Sequence, residues 1–322
     1  MPNFHAHLRG SVPQWGAVWL TLFCGLLLTS CDDNSGSQKA DIPNPTTDFQ
    51  KISVTDFSGK KVTLDKPATR IVALAPHIVE NLYTIGAGDQ IVGVVSHSDY
   101  PANAVKHPIV GGYQQTNHER IVELNPDLIV AWDSGNSQDN ISKLRELGFT
   151  ILIDQPDSLN DIAKSLRLLG AVTGNENQAD RAAQQFLNAI DKHRIANAEK
   201  PKVTTFYQVW NDPLISINGN HIISDAIRTC GGTNVFMEEV AVAPRVSIES
   251  IIALNPEAII ASGMGEERPE WLEDWKRWPS LTAVKENNLF FVNPDHLQRH
   301  TIRQLQAINT ICQQLDTARA KR

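Results

Sequence analysis

The chain has 322 residues, 41% of them hydrophobic and 20% charged, with a formal net charge of −7. That length can supply two cores of ordinary size, and the apolar share excludes disorder as the main state. A negative balance with no basic stripe argues against a nucleic-acid partner.

The first 30 residues read as a targeting segment. Arg9 is the only Lys or Arg among them, no acid is present, and an apolar run extends from about Ala17 to Leu28. Such a run is short for a transmembrane helix and suits a signal-peptide core. It ends in Leu28-Thr29-Ser30-Cys31, which resembles a bacterial lipobox, so Cys31 is the expected lipidation site and residues 1–30 the expected signal peptide. Asp32 and Asp33 resemble the signal that keeps such lipoproteins on the inner membrane, which gives a periplasmic, lipid-anchored location. Residues 31–50 are polar and aperiodic, as a flexible tether would be.

The folded part is expected to start with a hairpin, Ile52–Thr55 and Lys61–Leu64, turning at Ser58-Gly59. An N-terminal lobe over 51–173 then alternates strands and helices. The strands are placed at Arg70–Ala75, Ile91–Val95, Leu128–Ala131 and Thr150–Ile153. The helices are placed at Val79–Ile85, Ile141–Leu147 and Leu159–Leu169, the last ending at Gly170. Asn175 to about Lys200 is the longest helical pattern, with Ala179, Ala183, Phe186 and Ile190 on one face. At 1.5 Å per residue it would reach roughly 36 Å, enough to join two lobes over 174–200. Pro201 stops it, and a C-terminal lobe over 201–322 begins with strand Val203–Val209. Helix Ile222–Thr229, strand Leu289–Val292 and helix Thr301–Leu315 follow.

One stretch occurs twice. Glu119-Arg-Ile-Val-Glu-Leu-Asn-Pro-Asp-Leu-Ile-Val-Ala131 returns as Glu249-Ser-Ile-Ile-Ala-Leu-Asn-Pro-Glu-Ala-Ile-Ile-Ala261. Each copy reads as a short helix, a stop at Asn-Pro where proline disfavours a helical predecessor, and a buried parallel strand. Two copies so far apart imply two similar α/β lobes rather than a solenoid, whose repeats are shorter.

Chemistry for catalysis is sparse. Gly86-Ala-Gly88 with Gly93 follows a helix and enters a strand, the reverse of a dinucleotide fingerprint. His97, His118, His296 and His300 lie near strand ends, but their spacing matches no strong ligand motif, so no metal site is expected. Tyr100, Tyr113, Trp132 and Trp210 are more telling, because all four fall in loops after strands. Ligands of open α/β sheets bind at that edge. Cys230 and Cys312 remain once Cys24 and Cys31 are accounted for. A disulfide is the default in an oxidising compartment, and two buried free thiols are the alternative.

The lipobox, the two lobes and the single long helix together resemble the helical-backbone (class III) periplasmic binding proteins of ABC importers, which serve cobalamin, siderophores and haem. Ser96-His-Ser-Asp-Tyr-Pro101, the Glu119–Trp132 stretch, Cys230-Gly-Gly-Thr-Asn-Val-Phe236 and Val246-Ser-Ile-Glu249 look most like its vitamin B12 (cobalamin) branch. The likeness covers about residues 70–315. It implies two Rossmann-like lobes, a corrinoid held between them, and no resident cofactor. The ligand would meet Trp132, Tyr113, His97, Tyr100, Ile215 and Trp210, with Asp295 and Arg299 as polar contacts. It also implies a Cys230–Cys312 disulfide, and Glu119 and Glu249 as docking residues for a permease dimer coupled to an ATPase. Tyr113, His97 and Ala243 depart from that branch, where aromatic residues, including tryptophan at two of the three positions, are expected. A ferric siderophore or haem is therefore the alternative ligand. A lobed enzyme is the other class, and no nucleophile–base pair speaks for it. A monomer is expected.

Overall fold

The structure, a computed structural model, describes residues 51–112, 114–263 and 267–322. The expectations for the signal segment, Cys31, the tether and Tyr113 lie outside the described residues.

Ile52–Thr55 (β1) and Lys61–Leu64 (β2) pair antiparallel around the Asp56–Lys60 turn. Asp56 is buried and fully employed. One carboxylate oxygen accepts from the Ser58 and Lys60 amides, and the other accepts from the Ile153 amide. The hairpin is thereby fastened to the last strand of the first lobe.

That lobe runs Ile71–Ala73 (β3), Pro76–Thr84 (α1), Ile91–Val94 (β4), His118–Leu124 (α2), Leu128–Trp132 (β5), Gln138–Glu146 (α3) and Ile151–Asp154 (β6). Its sheet is parallel in the order β4-β3-β5-β6. Leu128 to Ala131 are buried without interruption, the mark of a strand covered on both faces.

Leu159–Thr173 (α4) and Glu176–Asn197 (α5) then form an antiparallel pair. Here one expectation is corrected. Gly170 does not end α4; the helix continues to Thr173 and is capped by Gly174 at φ +74°. A Cβ on Gly170 would lie 2.4 Å from the Cβ of Ala179, so this glycine lets α4 and α5 approach closely. Contacts from α5 reach α4 on one side and the helices of the second lobe on the other.

The second lobe repeats the first. It contains Val203–Gln208 (β7), Trp210–Asn211 (β8), Leu214–Ile215 (β9), Ile222–Thr229 (α6) and Gly232–Asn234 (β10). Ile248–Leu254 (α7), Ala258–Ala261 (β11), Thr282–Lys285 (α8), Leu289–Phe291 (β12), Pro294–Leu297 (α9) and Gln304–Arg319 (α10) complete it. Its main sheet, β10-β7-β11-β12, is also parallel and has the same order. The tryptophan-bearing segment 270–277 is a 3-10 helix, with Trp275 buried and donating to Gln208. A disulfide joins Cys230, at the end of α6, to Cys312 on α10.

The doubled stretch shows why its residues recur. Asn117 and Ser247 cap the two helices by accepting from the amide three residues on. Asn125 and Asn255 end them at φ +43° and +44°, so the stop is a left-handed asparagine cap, not the extended backbone that proline alone would impose. The acid after proline is a staple. Asp127 accepts from the Thr69 and Arg70 amides, and Glu257 accepts from the Thr204 amide. Each repeat thus pins its strand beside the first strand of its own sheet.

Candidate functional site

A cavity of about 630 Å³ opens between the lobes at the carboxyl ends of the strands. The first lobe contributes Trp132, Ser134 and the Gln155–Asp157 loop; the second contributes Tyr207, Val209, Trp210, Ile217, His221, Ile222 and Ile223, with Gln298 and His300 closing one end. Apolar and aromatic surface dominates, and no Lys or Arg occurs among the described lining residues.

Trp132 is the best-supported wall. It ends β5, and the turn after it is closed by Asn136, whose side-chain oxygen accepts from the Trp132 amide at 2.7 Å and whose NH2 donates to the Leu74 carbonyl at 2.9 Å. Gly135 lies against the indole so closely that a Cβ there would sit 1.8 Å from a ring carbon. On the other side His77 and His300 stand edge-on to the indole, at centroid distances of 5.3 and 5.8 Å. Asp154, 0% exposed, lies 3.4 Å from His77. Burial, with His77 and His221 nearby, holds the His300 imidazole well below its usual range, so it is neutral at the cavity wall.

His221 lines the cavity as the N-cap of α6, its Nδ1 accepting from the Ile223 amide at 3.2 Å. That bond places the ring proton on Nε2. Burial lowers its pKa to about 4, against a smaller upward pull from Asp157. A depressed histidine favours the fold while it is neutral. Its contribution is complete above pH 6.5 and is lost as pH falls towards 4, on the order of 3 kcal/mol. His221→Ser keeps a capping oxygen and removes the titration. Its melting temperature should therefore fall less than that of the parent between pH 6.5 and 4; parallel curves would exclude this role.

The other singled-out residues are distributed differently. Trp210 lines the cavity from the β8–β9 hairpin and is tied by its indole N–H to the Asp212 carbonyl at 2.9 Å. Ile215 stands opposite Trp210 in that hairpin, not on the lining. His97, at φ +66°, is exposed beside a separate small hollow.

Asp295, Arg299 and Tyr100 take part in an ionic clasp between the lobes. Arg299 reaches Glu80 and Asp99 of the first lobe, both at 2.8 Å, and Asp295 at 3.0 Å. Arg303 reaches Glu80 at 3.1 Å and lies 4.1 Å over the Tyr100 ring. The clasp adjoins the cavity through Gln298 and His300, which flank Arg299 in the chain. His118 bonds Asn140, while His300 is at the cavity. No cluster able to hold a metal occurs among the described residues.

Sequence reasoning did not single out His221 or Gln298, and it weighed His300 only as a metal ligand. For His221 a signal existed: a polar residue directly before the apolar run Ile222-Ile223, at a helix start.

The chain matches the periplasmic binding protein family over residues 71–296. A vitamin B12-binding protein of Vibrio cholerae is 35% identical over 253 residues, covering 78% of this chain and 91% of the relative. The crystal structure of the periplasmic vitamin B12 binding protein of Vibrio cholerae superposes with a TM-score of 0.71, covering 78% of this chain and 98% of that one. The periplasmic heme-binding protein RhuT from Roseiflexus sp. RS-1 superposes at 0.69 with 21% identity, covering 78% and 99%, a likeness of fold alone.

Proposed function

The chain belongs to the periplasmic binding protein family, and on that premise we propose that it is the substrate-binding lipoprotein of an ABC importer. It binds cobalamin or a related corrinoid between its lobes, 51–173 and 201–322, which the segment 174–200 joins. It hands that ligand to a permease dimer and is not an enzyme. The observation that carries the ligand assignment is the inter-lobe cavity, walled by Trp132, Tyr207 and Trp210 with no Lys or Arg among its described lining residues. A corrinoid presents a broad macrocycle and neutral amides, which suit aromatic walls and uncharged donors. Haem propionates and anionic ferric siderophores would enter such a space without a counter-charge. Cys31 would carry the lipid anchor on the periplasmic face of the inner membrane.

Glu119 and Glu249 support the delivery step. Each is the second residue of its helix, α2 or α7, and each is exposed. The two helices share cap geometry at both ends, so the carboxylates are equivalent positions of a doubled unit. A partner built from two equal subunits can meet both in the same way, and arginine–carboxylate pairs would give direction. Replacing both by alanine should leave cyanocobalamin binding and melting temperature close to those of the parent while abolishing uptake. Their part in helix stability is worth only about 0.3 to 1 kcal/mol each. Normal uptake by the double variant would refute docking, and a parent that binds no corrinoid would refute the ligand.

A further inference from the structure

A second groove, of about 710 Å³, runs beside the Trp132–Ser137 turn, lined by Gln115, Thr116, Ser134, Ser137, Asp139 and Asn140 among others. It adjoins the inter-lobe cavity, because Ser134 lines both. Gly135 also lines it while backing onto the indole that walls the cavity. The groove differs in character from the cavity: its described lining residues, Gly135 apart, all carry polar side chains. Among its described lining residues there is no Lys or Arg, and Asp139 is the one carboxylate.

Its hydrogen-bonding capacity is partly uncommitted. Ser137 occupies the N-cap of α3 without using its side chain to cap the helix. The Asn140 amide oxygen is taken twice, by Thr116 Oγ1 at 2.8 Å and His118 Nε2 at 2.6 Å. That fixes the orientation of the amide, and its NH2 end is buried with no partner among the described residues. Asn140 itself is 7% exposed. Uncharged donors and acceptors of this kind match amide and hydroxyl groups. A carboxylate placed here would face the acidic Asp139 in the first turn of α3, with no Lys or Arg among the described lining residues to offset it.

We propose that the groove is a second subsite of the same ligand site, taking uncharged amide arms at the rim of the ring system held in the cavity, and that Asp139 turns away ligands whose arms are carboxylates. This rests on the corrinoid reading, since a corrinoid carries its amides around the edge of the macrocycle. Asp139 is exposed, so its repulsion is partly screened, and the selection is of the order of tenfold and weakens with salt.

The test is equilibrium dialysis of the full chain with cyanocobalamin and with monocarboxylate derivatives in which one peripheral amide has been hydrolysed. The parent should prefer the amide form by about tenfold at low ionic strength, the gap narrowing as salt is added. Asp139→Asn should raise the affinity for the monocarboxylate about tenfold. Ser137→Tyr, at an exposed position and checked for an unchanged melting temperature, should obstruct the groove beside the Trp132–Ser137 turn and weaken cyanocobalamin at least about tenfold. An unaltered preference in Asp139→Asn together with unaltered cyanocobalamin affinity in Ser137→Tyr would overturn the subsite and leave the ligand reading standing. A parent that binds no cyanocobalamin removes both.

Discussion

Replacing Cys230 and Cys312 together by alanine lowers stability by roughly 4 to 5 kcal/mol, the figure that loop-closure entropy assigns to a cross-link of this span. The bridge spans 82 residues of sequence, from the end of α6 to α10. Without it the unfolded chain regains the freedom to separate those ends, while the folded chain keeps most of its contacts. Ile227, Ile308, Ile311 and Leu315 remain buried around the site, so the double variant is expected to fold and to melt earlier. The entropic figure is an upper one, because a real unfolded ensemble is more compact than the ideal chain. Urea unfolding of the parent and double variant measures the difference; a loss below about 1 kcal/mol would show that the bridge closes a loop already held in the unfolded state.

The second large effect is expected at Glu80. It is 3% exposed on α1 and supplies the carboxylate shared by Arg299 and Arg303, whose side chains are each 13% exposed. Removing one member of a buried pair leaves the other charge without compensation, a far greater loss than the pair's net worth. Glu80→Ala should therefore cost about 3 kcal/mol, within the usual range for such breaks and moderated because Asp99 and Asp295 still hold Arg299. Burial raises the Glu80 pKa, and the hydrogen bond from Arg299 and the charges of both arginines only partly reverse this. The native state thus holds that proton more tightly than the unfolded chain does. The stability linked to it is present below the ordinary carboxylate range and is lost as pH rises through the raised value. Acid lability should accordingly come from groups held below their ordinary values, His221 and His300 among them, and not from Glu80. A urea midpoint unchanged in Glu80→Ala would mean that the clasp contributes nothing to holding the lobes together.

Much of this architecture is legible in the sequence because the signals are local. The recurrence of Leu-Asn-Pro followed by an acid and four apolar residues announces two equivalent strands, and both sheets adopt the same order. Helix Ile222–Thr229 and both strands of the first hairpin fall at the expected residues. Gly170 misleads because a helical glycine can end a helix or admit a neighbour, and the neighbour, Ala179, belongs to the next helix. The β8–β9 hairpin has two-residue strands, too short for any period to register.

The site was legible only at its aromatic walls. Trp132 and Trp210 are expected in loops after strands; the structure puts them at the end of β5 and in β8 instead, and both line the cavity. The engagement of Asp295 and Arg299 was not, because Glu80 lies 219 residues from Arg299 and nothing in the intervening pattern links them. Similarly long separations hide the placing of His300 against Trp132 and His77.

The central claim is that the inter-lobe cavity holds a corrinoid against Trp132. Titration of the purified chain and of Trp132→Ala with cyanocobalamin, followed by heat of binding, tests it most directly. The parent should bind one equivalent. Loss of the indole should weaken binding by about 1 to 3 kcal/mol, roughly five- to 150-fold, without altering the stoichiometry. Equal affinity in the two proteins, or tighter binding by the parent of haem than of cyanocobalamin, would contradict it.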